Sequence, residues 1–273
     1  MEVIILGSGS PLPDPGRAGP ATLVRAAGRD FLFDAGRGVL MRLAGAGSGP
    51  LQVEQVLLTH LHSDHVTDLN DLLTMSWVMS QEQRPLRVAG PPGTSVLVER
   101  TLAMLAQDIG YRRAHHADLN WDPSAEVTEV SDGVVLDDGT VKIIAAPTDH
   151  APVQPTAGYR IEADGKVVAI GGDTIPCSGL DRLCDHADLY VQTVIRRSLI
   201  EAIPVRRLKD ILGYHSAIED AASTARRCGV GTLVLTHLVP APFPGTEPDW
   251  IAEAAAVFGG TVLLASDLLR IQA

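Results

Sequence analysis

Thr59-His60-Leu61-His62-Ser63-Asp64-His65 follows directly on the apolar run 56–58. Three imidazoles and a carboxylate fall on a turn at the end of a buried strand, so they can converge on one point without a helical register. Zinc takes N and O donors at about 2.0–2.2 Å in roughly tetrahedral geometry. His60 and His62 are alternate residues, leave the turn on the same side and suit one ion. Asp64 and His65 are offset and suit a second. The bland alternative is a solvated turn that happens to be rich in histidine, but H-x-H-x-D-H is a demanding pattern to meet by chance.

Two ions need more donors, and the chain supplies them beyond three further apolar runs. His150 follows the run 140–145, Asp173 follows 167–170 in Gly171-Gly172-Asp173-Thr174, and His237 follows 232–235. Polar residues at strand ends are common, and each alone is unremarkable. Beside the first motif they read as the missing ligands. His115, His116 and His186 have no such placement, and His186 reads as a surface or helix-end residue.

The elements around these residues alternate. Strands are expected at 3–6, 22–25, 30–34, 55–59 and 86–88, with helical spacing at 36–44, 66–79 and 94–107. Residues 108–123 show no period and read as a loop or cap. A meander of strands is expected at 125–130, 134–136, 140–145, 156–162 and 167–170, with hairpin turns at Asp138-Gly139 and Asp164-Gly165. Helices at 179–184, 219–228 and 249–258 then interleave with strands at 189–191, 232–235, 261–264 and 269–271. Strands mixed with helices in both halves argue for one α/β domain over residues 1–273, with helices outside stacked sheets.

Composition narrows the function classes. The chain has 273 residues, 45% hydrophobic and 20% charged, enough to bury a core and too apolar for a disordered protein. No stretch approaches the ~20 unbroken apolar residues of a membrane span. The opening Met1-Glu2-Val3-Ile4-Ile5-Leu6 lacks a basic region and reads as a buried strand, not a signal peptide. Three scattered cysteines make no disulfide framework and fit a reducing compartment, so a cytoplasmic location is expected. The net charge of −11 repels phosphate polymers unless a local basic patch overcomes it. Adjacent arginines at 112–113, 196–197, 206–207 and 226–227 read as solvated helix faces.

The H-x-H-x-D-H segment followed by His150, Asp173 and His237 resembles the metallo-β-lactamase superfamily, in the superfamily's order and over essentially the whole chain. Leu6-Gly7-Ser8-Gly9-Ser10-Pro11 and Phe33-Asp34-Ala35-Gly36-Arg37-Gly38 are similar to the branch holding ribonuclease Z and the metal-dependent arylsulfatases. The resemblance implies a four-layer αβ/βα sandwich with a dinuclear zinc site at one edge, manganese or iron being admissible in one position. By it, His60, His62 and His150 hold one ion, Asp64, His65 and His237 the other, and Asp173 bridges. Asp34 matches a carboxylate that orients a ligand histidine. His215, in Gly213-Tyr214-His215-Ser216-Ala217, matches a histidine beside the metals that would donate a proton to a departing oxygen. Ser216 and Glu219 have the spacing of a capping box, which would explain the same stretch without catalysis. A homodimer is also implied.

Departures from ribonuclease Z set the substrate expectation. Val191-Gln192-Thr193-Val194 stands where that enzyme carries His-Glu-Ala-Thr, and lacks the acid that would support His215. The passage from His150 to Asp173 has no room for a long Gly/Pro-rich arm that clamps transfer RNA. Leu238-Val239-Pro240 replaces a Ser-x-Arg-Tyr pattern. With the acidic net charge, these differences favour hydrolysis of a small ester (a sulfate ester, phosphodiester or lactone) by metal-bound hydroxide, with Asp64 and His215 as catalytic residues. Nucleic acid is then not an expected partner. Ribonuclease Z-like cleavage of RNA and a catalytically idle metal-binding sensor or scaffold are the alternatives. Trp77, the segment 115–121 and Phe243 are candidates for a pocket mouth or for core, and Cys177 is not needed as a ligand once Asp173 bridges.

Overall fold

The computed structural model describes residues 1–273. The N-terminal half builds one sheet. Strands β1 (Glu2–Gly7), β2 (Ala21–Ala26) and β3 (Arg29–Phe33) run antiparallel. The β2–β3 turn places Ala27 at φ 49° and Gly28 at φ 75°, the left-handed pair that a two-residue hairpin requires. Helix α1 (Val39–Gly45) leads to β4 (Val53–Leu57), then come α2 (Ser63–Val66), α3 (Leu69–Met79), β5 (Leu86–Gly90), α4 (Thr94–His115) and β6 (Ala125–Glu129). From β3 to β6 the pairing is parallel, as helical crossovers require.

The C-terminal half builds the second sheet. Strands β7 (Gly133–Asp137), β8 (Val141–Pro147), β9 (Ala157–Ala163) and β10 (Lys166–Ile170) form an antiparallel meander. Helix α5 (Ser178–Cys184) crosses to β11 (Leu189–Ile195), followed by short helices α6 (Arg197–Glu201) and α7 (Arg206–Lys209) and a 3₁₀ turn Asp210–Gly213. Helix α8 (Ile218–Arg227), β12 (Thr232–Val239), α9 (Glu247–Phe258) and β13 (Thr261–Leu264) complete the sheet, and β14 (Leu269–Gln272) returns to pair with β1. The strand orders are β14-β1-β2-β3-β4-β5-β6 and β13-β12-β11-β10-β9-β8-β7.

Both faces of each sheet are covered, which is why many strands read as continuous apolar runs instead of alternating ones. Val3, Ile5, Phe31, Phe33 and Leu57 meet Ile143, Tyr159, Ile161 and Val191 between the sheets. Their neighbours Ile4, Leu6, Leu32 and Val56 turn outward against Val39, Leu43, Leu69 and Leu72 of α1 and α3. Tyr190, Leu233 and Leu235 do the same against Leu180, Ala221 and Trp250 of α5, α8 and α9. At about 1.5–3 kcal/mol for each large side chain buried, these three interfaces supply the main drive for folding. The layers run helices, sheet, sheet, helices: the metallo-β-lactamase fold.

Two expectations are corrected. Helix α4 continues through His115, so residues 108–115 are helical, not loop. Residues 108–115 bury nothing, so no apolar stripe carries the spacing of 94–107 onward to be read. The strand at 125–129 belongs to the first sheet, parallel to β5, and not to the meander that follows it.

Candidate metal centre

Parallel register gathers the site at one edge of the sandwich. Phe33 pairs with Leu57, so Asp34 and Thr59 leave β3 and β4 side by side, and Asp34 N donates to the Leu57 carbonyl. In the second sheet Ile170 pairs with Val191 and Thr193 with Thr236, which brings Asp173 and His237 out together. The two loop sets lock onto each other. Ala157 N donates to the Thr59 carbonyl at 2.9 Å, and Tyr159 Oη to the Leu58 carbonyl at 2.7 Å. Gly172 sits at φ 66°, and a Cβ there would lie 2.8 Å from Thr59 Cβ, so only glycine allows this approach.

All seven candidate ligands meet at this edge, six of them buried and His62 half-exposed. They fall into two groups: His60, His62, His150 and Asp173, and Asp64, His65 and His237. His62 Nδ1 lies 3.0 Å from His60 Nε2 and 3.4 Å from His150 Nε2. Asp64 Oδ2 lies 3.3 Å from His237 Nε2 and 3.6 Å from His65 Nε2. Asp173 Oδ2 stands between the groups, 3.5 Å from His65 Nε2, 3.6 Å from His237 Nε2, 3.8 Å from His60 Nε2 and 3.9 Å from His150 Nε2. Donors about 2.1 Å from a tetrahedral ion stand about 3.4 Å apart, so these separations suit two metal ions.

Hydrogen bonds behind the ligands aim them. His65 Nδ1 donates to Asp34 Oδ2 at 2.8 Å, and His150 Nδ1 to the Tyr214 carbonyl at 2.8 Å. Thr59 Oγ1 donates to Asp34 at 2.9 Å and therefore accepts from His60 Nδ1 at 3.0 Å. In all three rings the proton on Nδ1 leaves Nε2 as a free lone pair. His65 Nε2 and Asp173 Oδ1 are buried and take no hydrogen bond from any protein group. Buried polar atoms are rarely left so, and a cation is what a lone pair and a carboxylate oxygen share. Asp34 and His237 both adopt left-handed backbone, at φ 61° and φ 50°. Such conformations in non-glycine residues are held by their surroundings and concentrate at functional sites.

The charges agree with this donor set. Burial, then the neighbouring His65, holds His60 well below the usual imidazole range, and burial lowers His62 and His150 as well, which favours the free base in all three. Burial alone would raise Asp173, but His237, His65 and His215 outweigh it and keep the carboxyl ionised. Burial also works against a charged His65, yet Asp173 and Asp34 push it well above its ordinary value. Its position between two carboxylates calls for positive charge, which a proton or a metal ion supplies.

His215 Nε2 lies 3.2 Å from Asp173 Oδ2, within reach of the same centre, while its Nδ1 is buried without a partner. The expected Ser216–Glu219 capping box does not form. Ser216 Oγ donates to the Thr174 carbonyl, and Asp220 accepts from Ala217 N at the helix start instead. Gln192 is fully buried and its hydrogen bonds go elsewhere than to His215: its Nε2 donates to the Gly172 carbonyl and its Oε1 accepts from Tyr190. It steadies the loop that carries Asp173. The supporting roles of Thr59, Tyr214 and Gln192 were not legible in the sequence, because two act through backbone or hydroxyl groups that carry no motif. Trp77 is core, its Nε1 donating to the Trp121 carbonyl, and Phe243 is exposed. His116, Leu119 and Trp121 line a groove of about 450 Å³ with Val78 and Met79 that includes no candidate ligand. His186 is exposed, as expected of a surface residue.

A beta-lactamase superfamily domain matches residues 29–238. The curated relative from Mycolicibacterium paratuberculosis, named ribonuclease Z, is 54% identical over 274 residues, covering 100% of this chain and 98% of the relative. The ribonuclease Z of Mycobacterium tuberculosis is 51% identical with the same coverage. Among solved structures, the metallo-beta-lactamase fold protein YhfI from Bacillus subtilis matches with TM-score 0.76 at 21% identity, covering 100% of this chain and 99% of that one. Human tRNase Z, short form, matches with TM-score 0.75 at 23% identity and the same coverage.

These relatives overturn the small-ester reading and the exclusion of nucleic acid. The inference from a missing arm fails on length: proteins aligned over 98% of their extent to this chain have no room for a long arm either, and they are named ribonuclease Z. The inference from net charge fails because a total of −11 says nothing about where the charges lie.

Proposed function

The chain belongs to the beta-lactamase superfamily, and from that premise we propose that it is a metal-dependent endonuclease of ribonuclease Z type that cleaves phosphodiester bonds in precursor transfer RNA. The observation that carries this reading is the 54% identity, over the whole chain, to proteins named ribonuclease Z. The converging donor set supports it. His60, His62 and His150 would hold one ion and Asp64, His65 and His237 the other, with Asp173 reaching both. Nitrogen and oxygen donors without thiolate suit zinc. When bound, a pair of such ions makes water nucleophilic near neutral pH and draws charge from the phosphoryl oxygens.

The chain's own groups divide the remaining work. Burial opposes a charged Asp64, but the hydrogen bond from His237 and the positive charge that a proton or metal ion supplies at His65 keep it ionised, so it can accept the proton that the attacking water gives up. His215 lies beside Asp173 and donates a proton to the departing oxygen, or a hydrogen bond to the charge that builds there. Asp34, Thr59 and the Tyr214 carbonyl hold the histidine rings still. His62, the half-exposed ligand, marks the side from which substrate enters.

The test is direct. Zinc-loaded protein incubated with a precursor transfer RNA is expected to give two discrete fragments, and His65→Ala or Asp173→Ala to abolish them while lowering bound metal. Intact RNA after prolonged incubation with fully metallated wild-type protein would refute the reading.

A further inference from the structure

Four pairs of adjacent arginines stand in the sequence, and the fold neutralises most of them. Arg112 pairs with Asp108 and Arg113 with Asp122; Arg196 pairs with Glu253 and Arg197 with Asp220; Arg227 pairs with Asp181. Only in the pair Arg206-Arg207 are both members without an acidic partner, and both are exposed. Lys209, two residues on, is also unpaired. Of the cations that lack a carboxylate partner, these three alone share one element, the four-residue helix α7.

Nothing in the fold requires them there. Helix α7 buries none of its residues, and Arg206 and Lys209, three positions apart, place like charges side by side on its surface. In a chain of net charge −11, with acidic side chains available for every other arginine pair, an uncompensated basic turn is a charge presented outward.

Its place is next to the metal centre. The chain runs from α7 through the 3₁₀ turn Asp210–Gly213 straight into Tyr214-His215. Both Tyr214 N and His215 N donate to the Ile211 carbonyl, at 3.3 and 3.2 Å, while the Tyr214 carbonyl holds His150. The four-residue turn advances only about 8 Å at roughly 2 Å of rise per residue, so Lys209 is separated from Tyr214-His215 by little more than one turn of chain. We infer that Arg206, Arg207 and Lys209 form the docking surface for the RNA phosphate backbone beside the scissile bond. This rests on the ribonuclease reading and supplies a local basic patch on an acidic chain.

The experiment compares zinc-loaded wild type with the triple variant R206A/R207A/K209A and the double variant R206K/R207K, on precursor transfer RNA and on bis(p-nitrophenyl) phosphate. The triple variant is expected to raise KM for RNA about tenfold or more with kcat little changed. The plot of log kcat/KM against log salt should flatten by about 2, since each lost contact to single-stranded phosphate removes about 0.7. The lysine variant keeps the charge and should stay near wild type, and all three proteins should cleave the small diester alike. A triple variant with wild-type KM and salt dependence on RNA overturns the docking surface and leaves the ribonuclease reading standing. Equal losses on both substrates overturn it too, as a structural role. A wild type that cleaves the small diester but never the RNA sinks both readings.

Discussion

Asp34 serves two histidines at once, directly to His65 and through the Thr59 hydroxyl to His60. One residue thereby fixes a ring in each of the two candidate metal groups. Replacing it by alanine is expected to lower metal affinity about 10- to 100-fold, measured by competition with a chromophoric chelator, with little change in secondary structure by circular dichroism. His215 makes the opposite case. It touches Asp173 but stands outside both donor groups, so His215→Ala is expected to keep its metal content while kcat on RNA falls by about 10²- to 10⁴-fold. Metal loss in that variant would make it a ligand instead. The candidate ligands could be picked out in the sequence because each follows an apolar run within a few residues. Thr59 and Tyr214 were not, since a hydroxyl and a carbonyl that aim a ring acquire that role only from what folds against them.

Tyr159 couples the two sheets near the site. It lies on β9, wholly buried, and its hydroxyl donates across to the Leu58 carbonyl at the end of β4. Tyr159→Phe would leave that carbonyl unsatisfied in a dry interface, at a cost of about 1–3 kcal/mol. A lowered melting temperature by calorimetry, with metal loading nearly normal, is the expected result; an unchanged one would show that the bond contributes nothing. The elements themselves were readable where an apolar pattern demanded a partner. Strands β1 to β4 and helices α8 and α9 fall close to their expected positions. Helix α4 escaped at its C-terminal end because an exposed helix leaves no stripe. Strand β6 was read correctly as a strand and assigned to the wrong sheet, for nothing local distinguishes pairing with β5 from pairing with β7.

The whole molecule is two sheets that meet over one apolar interface and over one polar edge. At that edge Asp34, Asp64 and Asp173 are all buried among histidines drawn from both halves, so metal held there would clasp the halves together. Chelation is therefore expected to abolish cleavage and also to lower the melting temperature. Ligand at about a hundred times its Kd stabilises the folded state by about 2.7 kcal/mol, and restored zinc should bring both back. Unaltered melting after complete chelation would show that the ligands are held by the fold alone. No helix is long and apolar enough to cross a membrane.

By itself the sequence determined the fold class and singled out the candidate metal ligands, because ligand-type side chains and buried strands are properties of residue type and spacing, which short segments carry; it pointed to the wrong substrate. Tertiary structure alone decided which groups stand behind the ligands, which sheet receives β6, and which arginine pair keeps its charge. Those are outcomes of long-range pairing: whether a charge is cancelled or a lone pair left free depends on a neighbour far along the chain, brought near only when the sheets close.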